Sequence, residues 1–290
     1  MKVVPYDLDA AVEEGQRTRD AADVCVSFNG GAWRGAFWLG VVEQLQAQFP
    51  AETLASWKFC GTSAGACYAL ALAMDFPHAE LKKLLCEAAA KARSHTLGVA
   101  FRVNTITGQI ILDMLASMEE DELLRRLRGR FALCFTGLSC RGCCAMRPYL
   151  AYDFESKAEI FKACISSSNI PFFSSLTNFP RLGGVRAIDG GLTPEGCVPL
   201  LPSRCIVYGR CFGMPDKPLP SGVSLDIVQR PPVSTMECFH TPASDAEVAE
   251  TAGKGRVLAA AFFASDEWAN RYAAAQRGNA ATAMTYDTLW

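Results

Sequence analysis

Apolar positions in the first quarter of the chain fall into short bounded runs that alternate between two periods. Val24-Cys25-Val26-Ser27-Phe28 is β-branched and alternating, which predicts a strand. Beyond a glycine-rich stretch, Trp38, Val42, Leu45 and Phe49 recur at helical spacing, so Ala36 to Phe49 is predicted helical. Trp57 to Cys60 is again a short apolar run, and Ala66 to Met74 reads as the helix after it. Strand, loop, helix, strand, turn, helix implies an α/β fold: a mostly parallel central sheet covered by helices on both faces.

Further along, the pattern at residues 77–128 is mostly helical, with Pro77 at one start and Asp75 as a candidate cap before it. Glu119 to Arg128 places acids first and bases last, as a helix dipole favours. Its basic end, with Arg130, reads either as a solvated face or as a contact for phospholipid headgroups. Phe131 to Thr136 and Arg147 to Tyr152 read as a hairpin. Lys157 to Ser166 reads as a helix, and Arg186-Ala187-Ile188, Cys205 to Tyr208 and Val223 to Val228 as strands. Glu247 to Arg271 reads as one long C-terminal helix. Residues 1–22 are polar and charged and read as an N-terminal extension or peripheral helix; residues 23–290 read as one domain.

Composition narrows the class. Half of the 290 residues are hydrophobic, enough for a substantial core, and the net charge of −2 argues against a dedicated nucleic-acid binder. The longest apolar runs, such as Val257 to Phe263, are too short to span a bilayer. No charged start followed by an apolar stretch marks a secretory signal at the N-terminus. The 13 cysteines are scattered, with Cys25, Cys60, Cys67, Cys134, Cys205 and Cys211 in apolar settings. Read as small hydrophobes, they suit a reducing cytoplasm. Cys140, Cys143 and Cys144 form a tight group with no second ligand pair for zinc, and read as a hairpin loop or a palmitoylation site.

Three short stretches carry the chemistry. Gly61-Thr62-Ser63-Ala64-Gly65 is a G-x-S-x-G pentapeptide between a predicted strand and a predicted helix. That turn is a sharp elbow that holds the serine hydroxyl out, and the helix N-terminus behind it favours developing negative charge. Asn29-Gly30-Gly31-Ala32-Trp33-Arg34-Gly35 links the preceding strand to its helix and exposes bare backbone N–H groups, as an oxyanion hole requires. It lacks the Lys-Ser/Thr pair and the G-x-G-x-x-G spacing of a nucleotide loop. Asp189-Gly190-Gly191 ends a predicted strand and reads either as a surface turn or, with a serine needing a base, as the supplier of an acid. Trp33, Phe37 and Trp38 flank the glycine loop, where aromatics suit acyl chains or a membrane interface; Trp38, at helical spacing, reads as core.

In this order the pieces resemble the patatin-like phospholipases, whose D-G-G-G-x-R/K-G, G-x-S-x-G, A-S-x-A-x-P-x-F and D-G-G/A motifs they follow over residues 24–212. Asn29 and Ala32 replace the acidic start and third glycine of the first motif, and the third appears as Ala163 to Phe173, keeping the Ala, the Pro and the Phe. The resemblance implies a three-layer fold and a lipid acyl hydrolase, a serine esterase of phospholipase or triacylglycerol lipase type with no cofactor or metal. It implies Ser63 as nucleophile, Asp189 as its base, and the N–H groups of Gly30, Gly31 and Ala32 as oxyanion donors. Trp33 and Arg34 are candidate substrate contacts. The expected partner is a phospholipid or glycerolipid, met in the cytoplasm or at a peripheral membrane or lipid-droplet surface. Two other readings stand beside this one: a transacylase on the same site, and a catalytically weak relative that binds lipid or protein. The chain has three histidines; His78 and His95 read as surface residues, while His240 follows Asp189 and leaves a Ser-Asp-His order open.

Overall fold

The computed structural model describes residues 1–17, 22–94, 103–139, 145–171, 174, 179–193, 196, 198–210, 225–228 and 244–286. Strands are β1 (Lys2–Pro5), β2 (Ala22–Phe28), β3 (Lys58–Thr62), β4 (Phe131–Ser139), β5 (Ala145–Tyr152), β6 (Arg181–Leu182), β7 (Val185–Ile188), β8 (Ser203–Arg210) and β9 (Leu225–Val228). Helices are α1 (Leu8–Arg17), α2 (Ala36–Gln48), α3 (Ala51–Ser56), α4 (Ala64–Ala73), α5 (His78–Arg93), α6 (Val103–Ala116), α7 (Glu120–Leu127), α8 (Lys157–Ser167), α9 (Asp245–Phe263) and α10 (Asp266–Tyr286).

The sheet runs β1-β5-β4-β3-β2-β8-β9, with β7 joined to β4 and to β6. From β9 to β4 all neighbours are parallel. The pairs of β5 with β1 and β4, and of β7 with β4 and β6, are antiparallel, so the sheet is mixed with a parallel core. Alternation sorts the side chains onto two faces. The row Val207, Val26, Phe59, Phe131 belongs to one face, buried under α2, α4, α5, α6, α7, α8, α9 and α10. Cys25, Cys60, Ala132 and Ile206 belong to the other, covered among the described residues by α1 and by Val198, Leu200 and Leu201. Both faces carry helices, but very unequally.

Four expectations need revision. Residues 2–5 are not peripheral: Lys2-Val3-Val4-Pro5 pairs with β5 at the sheet edge, and Leu8 and Val12 of α1 are buried. Asp75 does not cap the helix after Pro77. It adopts φ +60° behind α4, where its N–H bonds to Leu72 O (3.1 Å) and the Phe76 N–H to Ala71 O (2.7 Å), a left-handed C-terminal closure. The guanidinium of Arg130 is part-buried and committed within the fold: it donates to the carbonyls of Leu54, Trp57, Ala73 and Arg126 at 2.9–3.1 Å. The C-terminal helix is two. The Ser265 hydroxyl donates to Phe262 O (2.6 Å) and accepts from the Trp268 N–H (3.2 Å), ending α9 and capping α10.

Among the fixed points is the crossing of α2 and α9. A Cβ on Gly40 would lie 1.8 Å from Ala252 O, and one on Gly255 would lie 1.9 Å from Phe37 O, so the two backbones touch through reciprocal glycines. The helix behind the glycine loop is thereby held by the C-terminal part of the chain.

Candidate active site

β3 ends at Thr62, and Ser63 turns the chain into α4 with φ +53° and ψ −128°. A non-glycine residue there stores about 1–3 kcal/mol of strain, so its surroundings must hold it. Both glycines of the pentapeptide do so by close approach: a Cβ on Gly61 would lie 2.4 Å from Gly65 O, and one on Gly65 2.4 Å from Phe28 O. The backbone N–H of Ser63 donates to Ser167 Oγ (2.9 Å), whose hydroxyl donates to Cys134 O (2.5 Å). Behind the elbow, α4 is buried from Gly65 to Ala73.

Asp189 reaches the same point from the opposite direction. The edge of β4 pairs first with β3, ending at Thr62–Cys134, and then with the antiparallel β7, ending at Ile188–Thr136. The two strands therefore run head-on along β4, and Ser63 and Asp189 both follow their last paired residue beside Phe135. Gly190 makes the approach close: a Cβ there would lie 2.5 Å from Cys134 O and 2.8 Å from Thr62 Cγ2. The Asp189 N–H donates to Asn169 O (2.9 Å), and Oδ1 accepts the Gly191 N–H (2.8 Å). Oδ2 is buried with no hydrogen-bond partner. Burial pushes the Asp189 carboxyl up to about 6, against the opposing pull of the Ser63 hydroxyl and the Gly191 N–H. The hydroxyl is thus near enough to favour the carboxylate, without a hydrogen bond of normal geometry at Oδ2. Such bonds are commonly loose before substrate binds.

The glycine loop packs against this pair. A Cβ on Gly30 would stand 2.9 Å from Ser63 Cβ and 3.6 Å from its Oγ. Trp38 is fully buried, and its Nε1–H fixes the loop by donating to Asn29 O (3.1 Å). Gly31 O accepts the Arg34 N–H (2.9 Å), closing a 3₁₀ turn over Ala32–Gly35, and Ala32 sits at φ +44°.

Ser63 and Ala32 open on a pocket of about 780 Å³, counted out to its mouth. Its walls are mainly apolar, from Trp33, Leu81, Leu85, Val103, Ile106 and Ile110, and the buried Ser168 hydroxyl, without a partner, also lines it. Cys67 lines it too, but burial pushes this thiol up to about 12, so it stays neutral. Trp33 belongs to the pocket and Arg34 does not. His78 lies at the start of α5, its ring against Gln46. His95, His240, Cys140, Cys143 and Cys144 lie outside the described residues. A hydroxyl beside a buried carboxyl, with backbone N–H groups and an apolar cavity, is equipped for acyl transfer.

The family model described as patatin-like phospholipase matches residues 26–197. This chain belongs to the patatin-like phospholipase family. Its mixed sheet with covering helices is the patatin fold. It is 26% identical over 245 residues to the mouse (Mus musculus) 1-acylglycerol-3-phosphate O-acyltransferase Pnpla3, covering 83% of this chain and 54% of that protein. It is 30% identical over 172 residues to mouse patatin-like phospholipase domain-containing protein 2, covering 58% of this chain and 33% of that one. The chain thus spans about half or less of these relatives. VipD from Legionella pneumophila aligns at 14% identity with a TM-score of 0.38, over 65% of this chain and 50% of that chain, too distant to inform details.

Two features of this patatin-like site escaped the sequence reading. Counted back from Pro171, the serine of the A-S-x-A-x-P motif falls on Ser167, the residue that holds the Ser63 N–H. That spacing was the available signal. The contribution of α6 to the pocket had none, because its apolar residues read equally well as core.

Proposed function

We propose that this protein is a lipid acyl hydrolase working through Ser63 and Asp189. The observation that carries the reading is a strained, buried serine beside a buried carboxyl, opening on an apolar pocket. Ser63 Oγ attacks the ester carbonyl carbon as its proton passes to Asp189. The backbone N–H groups of Gly30, Gly31 and Ala32 meet the oxyanion of the tetrahedral intermediate. Collapse expels the alcohol, which takes the proton from Asp189, and leaves an acyl-serine. Water, deprotonated by Asp189, then releases the fatty acid and restores the serine. The acyl chain lies in the pocket beside Trp33. The substrate is a phospholipid or glycerolipid, met at a membrane or lipid-droplet surface.

Acyl transfer is the second reading, favoured by the acyltransferase name of the Pnpla3 relatives. The acyl-serine is common to both, and only the acceptor differs. Labelling with a fluorophosphonate probe tests the shared step: wild type should label, and Ser63→Ala should not. Equal labelling of the two proteins would remove Ser63 from the mechanism. Feeding 1-acylglycerol 3-phosphate as acceptor then divides the readings by whether acyl groups leave as free acid or as diacyl product.

A further inference from the structure

The pocket at Ser63 shares a wall with a second hollow. Ile106 and Ile110 of α6 line both. They stand four residues apart, one stripe of a helix. Val103 and Thr107 face the Ser63 pocket to one side of that stripe, while Gln109 and Asp113 face the second hollow on the other. On α5 the division repeats, with Leu81 and Leu85 in the first and Leu84 and Ala88 in the second. The second hollow, counted with the open solvent at its mouth, measures about 680 Å³. Its less exposed wall is apolar, from Leu84, Ala88, Ile106 and Ile110, and its exposed rim is charged and polar.

The helix that carries the stripe is pinned. Asn104 Nδ2 donates to Asn169 Oδ1 (3.3 Å), on the same residue whose carbonyl accepts the Asp189 N–H. Gly108 lets α8 approach until a Cβ would touch Phe161 and Ile165 at 3.4 Å. Ile111 and Met114 are fully buried below. Changes at Ile106 and Ile110 therefore alter the space between two cavities and leave the helix in place.

We infer that Ile106 and Ile110 are a partition that sets the length of acyl chain this enzyme accepts. This rests on the hydrolase reading. A chain esterified at Ser63 runs along the first pocket and ends against the isoleucines. Removing them joins the hollows and lets longer chains continue against Leu84 and Ala88.

The test is the chain-length profile of nitrophenyl esters from C4 to C18. In Ile106→Ala/Ile110→Ala the optimum should move to longer chains, with up to about fourfold gained in the long-to-short ratio of kcat/KM per extra methylene housed. Adding Ala88→Leu, which refills the second hollow, should move the optimum back. If the double variant does not fold, the Ile106→Val and Ile110→Val variants should shift the ratio less, in the same direction. An unchanged profile in folded variants, or an equal fall at every length, overturns the inference. Fatty-acid affinity measured in the Ser63→Ala background follows the same shift without catalysis. If Ser63→Ala kept wild-type turnover, the hydrolase reading would fall, and the affinity series would still judge the partition.

Discussion

The two arms of the site are held in opposite ways. Ser63 is clamped: its backbone sits at φ +53°, wedged by Gly61, Gly65 and Gly30, with its N–H tied to Ser167. Asp189 is relaxed in its backbone, at φ −47° and ψ 132°, and its distinction is electrostatic: a buried carboxyl with one oxygen unpartnered. One arm stores conformational strain and the other stores desolvation. Each form of stored energy is tolerated because the surrounding sheet and helices over-determine the geometry.

Substitutions that discharge one store without the other separate the arms. The largest effect is expected at the reacting groups. Ser63→Ala and Asp189→Asn should each lower ester turnover by at least about 10³-fold, because members of one catalytic unit fail together. Their stabilities should diverge. Asp189 has its carboxyl pKa raised from 3.8 to about 6, so only at about pH 3 or lower is it protonated whether folded or unfolded. As pH rises toward 6 the unfolded chain ionises first and stability is lost. Above 6 the penalty is complete, roughly 2–3 kcal/mol. Asp189→Asn should therefore unfold at higher temperature than wild type at pH 7.5, with the difference vanishing near pH 3. Equal unfolding temperatures at pH 7.5 would mean that the carboxyl is not desolvated.

Gly30→Ala comes next. Its Cβ would collide with Ser63 Cβ, displacing the loop proposed to offer oxyanion donors. Turnover should drop about 10²–10³-fold with a smaller change in thermal stability. Retained turnover with an ordered loop would place the oxyanion elsewhere.

The pH profile is gentler. With Asp189 near 6, kcat/KM on a soluble ester should be flat above pH 7 and fall about tenfold by pH 5. A flat profile down to pH 5 would show that proton transfer does not depend on this carboxyl.

The smallest effect is expected at Ala32. At φ +44° an alanine is strained by about 1 kcal/mol relative to glycine, partly offset by the freedom glycine gains on unfolding. Ala32→Gly should raise the unfolding temperature by a few degrees or less. A clear loss of stability would show that the methyl group packs usefully into the pocket.

Much of the parallel core was legible because its signals are local. β2 alternates, Ala66 to Met74 is a continuous apolar run, and the hairpin of β4 and β5 shows two runs around a break. The two ends of the hydrophobic pattern were harder. β1 is a four-residue edge strand, too short to show a period, and is defined by its partner β5. The join between α9 and α10 was hidden because apolar spacing continues across it; only Ser265-Asp266-Glu267, a capping serine before two acids, marks the new start. Arg130 was misread because a charge run shows its sequence neighbours and not the carbonyls of α3 and α4 that fold over it. At the site, the glycine motifs announced where the backbone turns. Ser167 and the Ile106–Ile110 stripe act through contacts far apart in sequence; only the spacing back from Pro171 marks Ser167, and no local pattern distinguishes the stripe from ordinary helix residues.

The head-on meeting of β3 and β7 makes β4 the ruler of the site. Whatever lengths of chain intervene, the gap between the two functional side chains is counted in steps along one neighbouring strand, from Cys134 to Thr136. Loops elsewhere can lengthen or shorten freely. A single residue inserted into that short interval would lengthen the gap by about 3.3 Å and turn the following side chains to the opposite face. The spacing of the two proposed catalytic side chains is thus encoded in a strand that supplies neither of them.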